Sequence, residues 1–318
     1  MQLVVDPKSN PAVAGSAPAI LNGLILVWAD SNQVLWWTSC EPIPGSSGVF
    51  AWRAFAQLGG RSSASPSLAL TFAGNPNLIP MFCWAAWKGS GKDNGIYLAE
   101  LPDDPVAWEV FSAFPGIGTS ATPALNLSGL GLVMAFKGES DTTLYYMLYS
   151  PAGTAAFVEA YWGPPTPIPG AFSSHAPALA AQTFNNGQLG NTVYMVYKDP
   201  VQTTLWMTQL TFTPTSGLYW VEPGPVLLPD NIRSDREPGL YITPAGILWI
   251  AFKGESDNSV WVASYNETSW TQPVKIPGIG TSGRPALVPM PNNGIGLAII
   301  GETTGHLYFG LPAELQGS

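Results

Sequence analysis

Charge is scarce in this 318-residue chain: 10% of it is Asp, Glu, Lys or Arg, against about 25% in an average globular protein. The balance is acidic, with a formal charge of −9. Nucleic acid needs a basic face that releases counterions, so it is excluded as a partner. Cysteine is almost absent. Cys40 and Cys83 fall in no CxxC pair, so no zinc site or disulfide framework is expected, only buried thiols. Two histidines, His175 and His306, are too few for a histidine-based triad or metal cluster. No catalytic residue, metal or cofactor is expected. No apolar run approaches the roughly 18 residues of a membrane helix, and MQLVVDPK lacks the apolar region of a secretory signal. A cytoplasmic location without membrane insertion is the expectation.

Glycine and proline are abundant by contrast, 34 and 31 residues spread along the whole length. They cut the chain into short segments and starve it of helices, so the reading is all-β. Hydrophobic residues make up 46% of the chain, enough to bury a large core.

The chain repeats. Anchors read SAPAI at Pro18, SPSL at Pro66, TPAL at Pro123, APAL at Pro177, EPGL at Pro238 and RPAL at Pro285, with spacings of 48, 57, 54, 61 and 47 residues. After each anchor comes an apolar strand that ends, in the best copies, in an aromatic-Lys-Gly signal: WKGSGKD, FKGESD and FKGESD again. Copies one, four and six depart from it, reading VWADSN, MVYKDP and IIGETT. A further segment carries Trp52, Trp108, Trp162, Trp220 or Trp270 in copies one to five, and these tryptophans read as structural. Four short strands per unit of roughly 50 residues is the build of a propeller blade, whose inner strands are apolar on both faces because neighbouring blades cover them. The expectation is a single six-bladed β-propeller of four-stranded antiparallel blades, starting near residues 16, 64, 121, 175, 236 and 283, with Gln2 to Asp6 completing the last blade.

Such a blade places the loop between its second and third strands at the same end as the loop leading into its first strand. The KGxxD and TSxxP segments therefore share one face. Four of the five arginines, Arg61, Arg233, Arg236 and Arg284, map there with His175 and Asp235, and binding residues favour loops held by a rigid scaffold. Recurring Lys and Asp can equally clamp their own turn, and Phe136, Phe252 and Trp87 can equally fill the space between blades.

The repeat resembles lectin-like and sialidase-like propellers built from TSxxPALA, KGxxxDxxIYY and a trailing tryptophan, most closely from Ile117 to Tyr146. The Asp box SxDxGxTW of such relatives is missing, since Ser264 to Trp270 reads SYNETSW. The resemblance implies multivalent glycan binding, with aromatic faces for sugar rings and a few polar groups for hydroxyls. The candidate ligand-binding residues are Trp87, Lys88, Asp93, Lys137, Glu139, Asp141, Tyr145, Lys253, Glu255, Asp257, Trp261, Arg61, Arg236, Arg284, Glu302 and His306. Two other functions stay open: a sialidase-like or other glycoside hydrolase, and a scaffold for a protein or hydrophobic ligand. The hydrolase would need Arg61, Arg236 and Arg284 to converge on a carboxylate.

Overall fold

The computed structural model describes residues 10–15, 24–42, 50–52, 54–70, 83–101, 108–129, 131–150, 161–183, 189–213, 217–221, 224–289, 294–303, 307–310, 312 and 315. They form six antiparallel sheets, each running in chain order from its innermost to its outermost strand. The innermost strands are Asn10–Gly15, Ser67–Leu70, Ala124–Ser128, Ala178–Thr183, Gly239–Ile242 and Ala286–Pro289. Each lies beside the innermost strands of the blades before and after it, and Asn10–Gly15 lies against both Ser67–Leu70 and Ala286–Pro289. The ring is closed. In blades 2 to 6 the anchor proline immediately precedes the innermost strand. The SAPAI anchor of blade 1 and the Gln2 to Asp6 segment lie outside the described residues.

The second strands carry the core. Cys83–Lys88, Leu248–Lys253 and Ile295–Ile300 are buried along their whole length, because each is flanked by blades on both sides and has no solvent face. The apolar residues sort into six clusters, each spanning one seam between adjacent blades. Ala86, Leu98, Leu132 and Met134, for example, bridge blades 2 and 3. Cys83 is one of these core groups, and burial raises its thiol far above the ordinary range.

The trailing tryptophans open the fourth strands. Trp162 pairs with Tyr149 at one end of the third strand of blade 3, and Thr166–Phe172 then pairs with its other end. Trp108 and Trp220 are buried, and Trp108 meets Trp37 edge-on at 6.0 Å. Their place between blades agrees with a structural role. The outer strand carries the chain up to the loop that leads into the next blade, and these loops build one face of the ring.

Candidate functional site

On this face, in blades 2 to 5, a lysine side chain ties the lead-in loop to the hairpin between the second and third strands of the same blade. In blade 3 the Lys137 ammonium donates to Ser120 Oγ at 2.7 Å and to the Asp141 carbonyl at 2.6 Å. Lys88 reaches Ser63 Oγ and the Asp93 carbonyl, both at 3.0 Å. Lys198 reaches Ser174 Oγ at 3.2 Å and the Gln202 carbonyl at 2.7 Å. Blade 5 has Asp235 where the serine stands, and Lys253 forms a 2.8 Å ion pair with it. Lys88, Lys198 and Lys253 are buried, and a buried ammonium is tolerated only when its donors are met. Here the loops meet them. Burial draws Lys137 and Lys198 below the usual lysine range.

The aspartates hold aromatics. Asp93 accepts the Gly95 N–H at 2.9 Å and the Tyr97 hydroxyl at 2.8 Å, and these bonds, the backbone one first, keep its carboxyl below the usual range. Asp141 accepts the Thr143 N–H at 2.9 Å and the Tyr145 hydroxyl at 3.3 Å. The carboxylate folds back over the glycine after the lysine, so a Cβ on Gly89, Gly138 or Gly254 would collide with Asp93, Asp141 or Asp257. That space is why glycine follows lysine. Blades 1 and 4 make the same tie with the aspartate at the glycine position itself: Asp30 accepts the Trp36 indole N–H at 3.0 Å and Asp199 that of Trp206 at 3.3 Å. These four residues are not among the sequence candidates, because their aspartates are displaced along the motif.

Strand register puts Trp36, Tyr97, Tyr145, Trp206, Trp261 and Tyr308 at one equivalent position, opposite Trp28, Trp87, Phe136, Tyr197, Phe252 and Ile299. All six of the former are half-buried. Tyr97 stacks on Trp87 at 5.9 Å and Tyr145 on Phe136 at 5.7 Å between ring centres. Trp261 differs, with the Lys275 ammonium 5.9 Å from its ring centre and 3.3 Å from Asp257.

Across three of the seams a hairpin glutamate confronts the end of the neighbouring blade's outer edge. The last residue of the outer strands of blades 1 to 5 is Arg61, Gly118, Phe172, Arg233 or Gly280, paired in register with Val34, Gly95, Thr143, Thr204 or Ser259. The second residue after the clamp position in the next blade is Ser90, Glu139, Pro200, Glu255 or Glu302, and the three glutamates reach across the seam. A Cβ on Gly118 or Gly280 would meet the carboxylate of Glu139 or Glu302. With that room, Glu139 reaches the Asn94 side-chain amide at 2.9 Å, and Glu302 likewise reaches that of Asn258. Arg233 pairs with Glu255 at 3.8 Å. Glu139, Glu255 and Glu302 are thus seam fasteners in this structure. Arg61 is exposed, and its side chain has no hydrogen bond or ion pair among the described residues.

The remaining candidates lie elsewhere. Arg236 is exposed on the loop into blade 5, and Arg284 stands one loop further on, next to the innermost strand of blade 6. Arg61 ends an outer strand of blade 1, and no hydrogen bond or ion pair among the described residues joins the three arginines. His306 lies outside the described residues.

Among solved structures the chain matches the fucose-specific lectin from Aleuria aurantia, over 93% of this chain and 89% of that one, with a TM-score of 0.60 at 9% identity. It also matches AofleA from Arthrobotrys oligospora over 96% and 84%, with a TM-score of 0.61 at 8% identity. The intramolecular trans-sialidase from Ruminococcus gnavus, solved with oseltamivir carboxylate, matches over 99% and 96%, with a TM-score of 0.62 at 10% identity. The chain is a six-bladed β-propeller. At these identities the likeness is one of fold. No protein-family model matches the sequence, and neither does any curated protein. Among the described residues of this propeller, no helix is long and apolar enough to cross a membrane.

Proposed function

We propose that this propeller is a carbohydrate-binding protein that receives sugar rings in the seams of its lysine-clamped face. The observation that carries the reading is the half-buried aromatic at one register position of all six blades. In four of them an aspartate fixes the ring's polar tip. A ring fixed in this way offers a preorganised apolar face to the C–H side of a sugar, while neighbouring polar groups meet its hydroxyls.

The seam between blades 1 and 2 is the best furnished. Its polar groups include Arg61, whose side chain is unengaged among the described residues, and Asp93, beside the stacked Tyr97 and Trp87 rings. Several weak seams on a rigid ring acting together raise avidity by about 10²- to 10⁴-fold on a glycan-coated surface. The fold shared with a fucose-specific lectin supports the reading.

A glycan array tests it. The full chain is expected to retain a defined set of glycans, and Arg61→Ala and Tyr97→Leu each to weaken the signal about tenfold, the loss of one good polar or stacking contact. A folded protein silent across the array overturns the proposal, and release of free sugar from the array would replace it with the hydrolase reading.

A further inference from the structure

Arg284 stands apart from every other charged group described above. Its Nε is sealed from solvent and has no hydrogen-bond partner, and the side chain forms no ion pair among the described residues. Protein surrounds it closely enough for burial to depress its basicity, with Glu237 opposing that effect. Even so, the residue as a whole is only half-buried. That combination marks a group set into a recess rather than sealed in a core. An unpaired guanidinium in such a place is costly unless an anion joins it.

Its position is defined by the repeat. The residue before the anchor proline is Ser65, Thr122, Ala176, Glu237 and Arg284 in blades 2 to 6. Thr122 Oγ1 donates to the Ser65 carbonyl of the preceding blade at 2.6 Å, so consecutive members of this set are neighbours around the axis. Glu237 therefore adjoins Arg284. The two innermost strands approach so closely here that a Cβ on Gly239 would collide with the Pro285 carbonyl. The Glu237 carboxylate also acts on His175, whose ring Nδ1 lies 2.9 Å from Ser174 Oγ. Of the nearby acids, Asp235 is already engaged by Lys253, and the Glu237 side chain makes no hydrogen bond or ion pair among the described residues.

We propose that the axial mouth between blades 4, 5 and 6 is a binding site for a small hydroxylated carboxylate, with Arg284 taking the carboxylate and Glu237 accepting from the hydroxyl. A guanidinium presents a planar fork of donors that matches a carboxylate in two parallel bonds. The unengaged Glu237 carboxylate can only accept, which selects a ligand with a hydroxyl next to its anionic end and disfavours a bare anion by repulsion. This site is separate from the seams and does not rest on their reading.

The test is NMR titration of the full chain with ¹³C-glycolate, with acetate, ethylene glycol and chloride as comparison probes. Glycolate is expected to bind one site, acetate more weakly and ethylene glycol not at all. Arg284→Gln is expected to weaken glycolate about tenfold or more, and Arg284→Lys by less, as one fork of charge-assisted bonds is lost. Asn94→Ala, which removes only an exposed bond between the hairpins of blades 2 and 3, is expected to leave glycolate binding unchanged. Glu237→Gln, which keeps Arg284 in place should the first variant fail to fold, is expected to abolish the preference for glycolate over acetate. The proposal is overturned if folded wild-type protein ignores glycolate, if Glu237→Gln leaves the preference intact, or if chloride competes as well as glycolate, which would make Arg284 the holder of a simple counter-ion.

Discussion

The Asn94 side-chain amide donates to Glu139 Oε1 at 2.9 Å, joining the hairpin of blade 2 to that of blade 3. The bond is exposed, so each of Asn94→Ala and Glu139→Ala is expected to cost about 0.5–1.5 kcal/mol. Because both remove the same tie, the double variant is expected to cost clearly less than the two together. Urea unfolding of the four proteins checks this, and strictly additive losses would show that the two side chains act independently.

Gly138 lies under the Asp141 carboxylate, where a Cβ has no room. Gly138→Ala is expected to destabilise the protein by about 1–3 kcal/mol through overpacking. Shortening the obstructing side chain in Gly138→Ala/Asp141→Ser is expected to restore part of that loss. Thermal unfolding reads both, and a double variant less stable than the single one would refute the steric account.

Blade 5 replaces a serine with Asp235 and answers it with the Lys253 ion pair. Lys253→Met strands the aspartate, whose Oδ1 is already buried without a partner. The expected cost is about 1–3 kcal/mol, under the full value for a buried pair because the Asp235 side chain is 37% exposed. Asp235→Ser, which recreates the arrangement of Ser63, Ser120 and Ser174, is expected to be much milder. Equal losses in chemical denaturation would contradict the idea that serine and aspartate serve the same clamp.

Acid is expected to weaken the fold in two windows. Burial lowers the basicity of His175, with Lys198 and Arg236 acting the same way and Glu237 and Asp235 opposing. The unfolded chain therefore takes up a proton near pH 6.5 that the folded one resists, and stability falls as pH drops below that value. Asp93 is held below the usual range by the Gly95 N–H and the Tyr97 hydroxyl. For Asp199, burial acts the other way but is outweighed by the Gln202 and Val201 N–H groups and the Trp206 indole. Their contribution is present above about pH 4 and lost as pH falls through their folded values. Urea midpoints from pH 8 to pH 2 should show both steps. His175→Gln should flatten the upper one and Asp93→Asn the lower, and unchanged profiles would count against these assignments.

The ring was legible in the sequence because its signals are local: an anchor proline, an apolar strand buried on both faces, a trailing tryptophan. The shared face followed from strand order alone. What each polar residue does there was not legible, because the deciding partner belongs to another segment. Whether Glu139 faces solvent or fastens a seam depends on Gly118 and Asn94, and Glu255 depends in the same way on Arg233. Blades 1 and 4 looked degenerate because Asp30 and Asp199 sit at the glycine position instead of later in the loop. Motif spacing changed while the bond it makes was kept. Arg284 and Glu237 became neighbours only through the ring itself, since the repeat between them separates them along the chain.

The backbone stitching of the face is the same from blade to blade: the N–H groups of Ser62, Thr119, Ser173, Ser234 and Thr281 all donate to the hairpin carbonyls of Gln33, Asn94, Thr142, Thr203 and Asn258. The side chains that meet over that stitching are different at every seam except the two Gly–Glu ones. A substitution at one junction therefore leaves the backbone stitching of the others in place, and the junctions can diverge one at a time at a small cost to the ring that holds them.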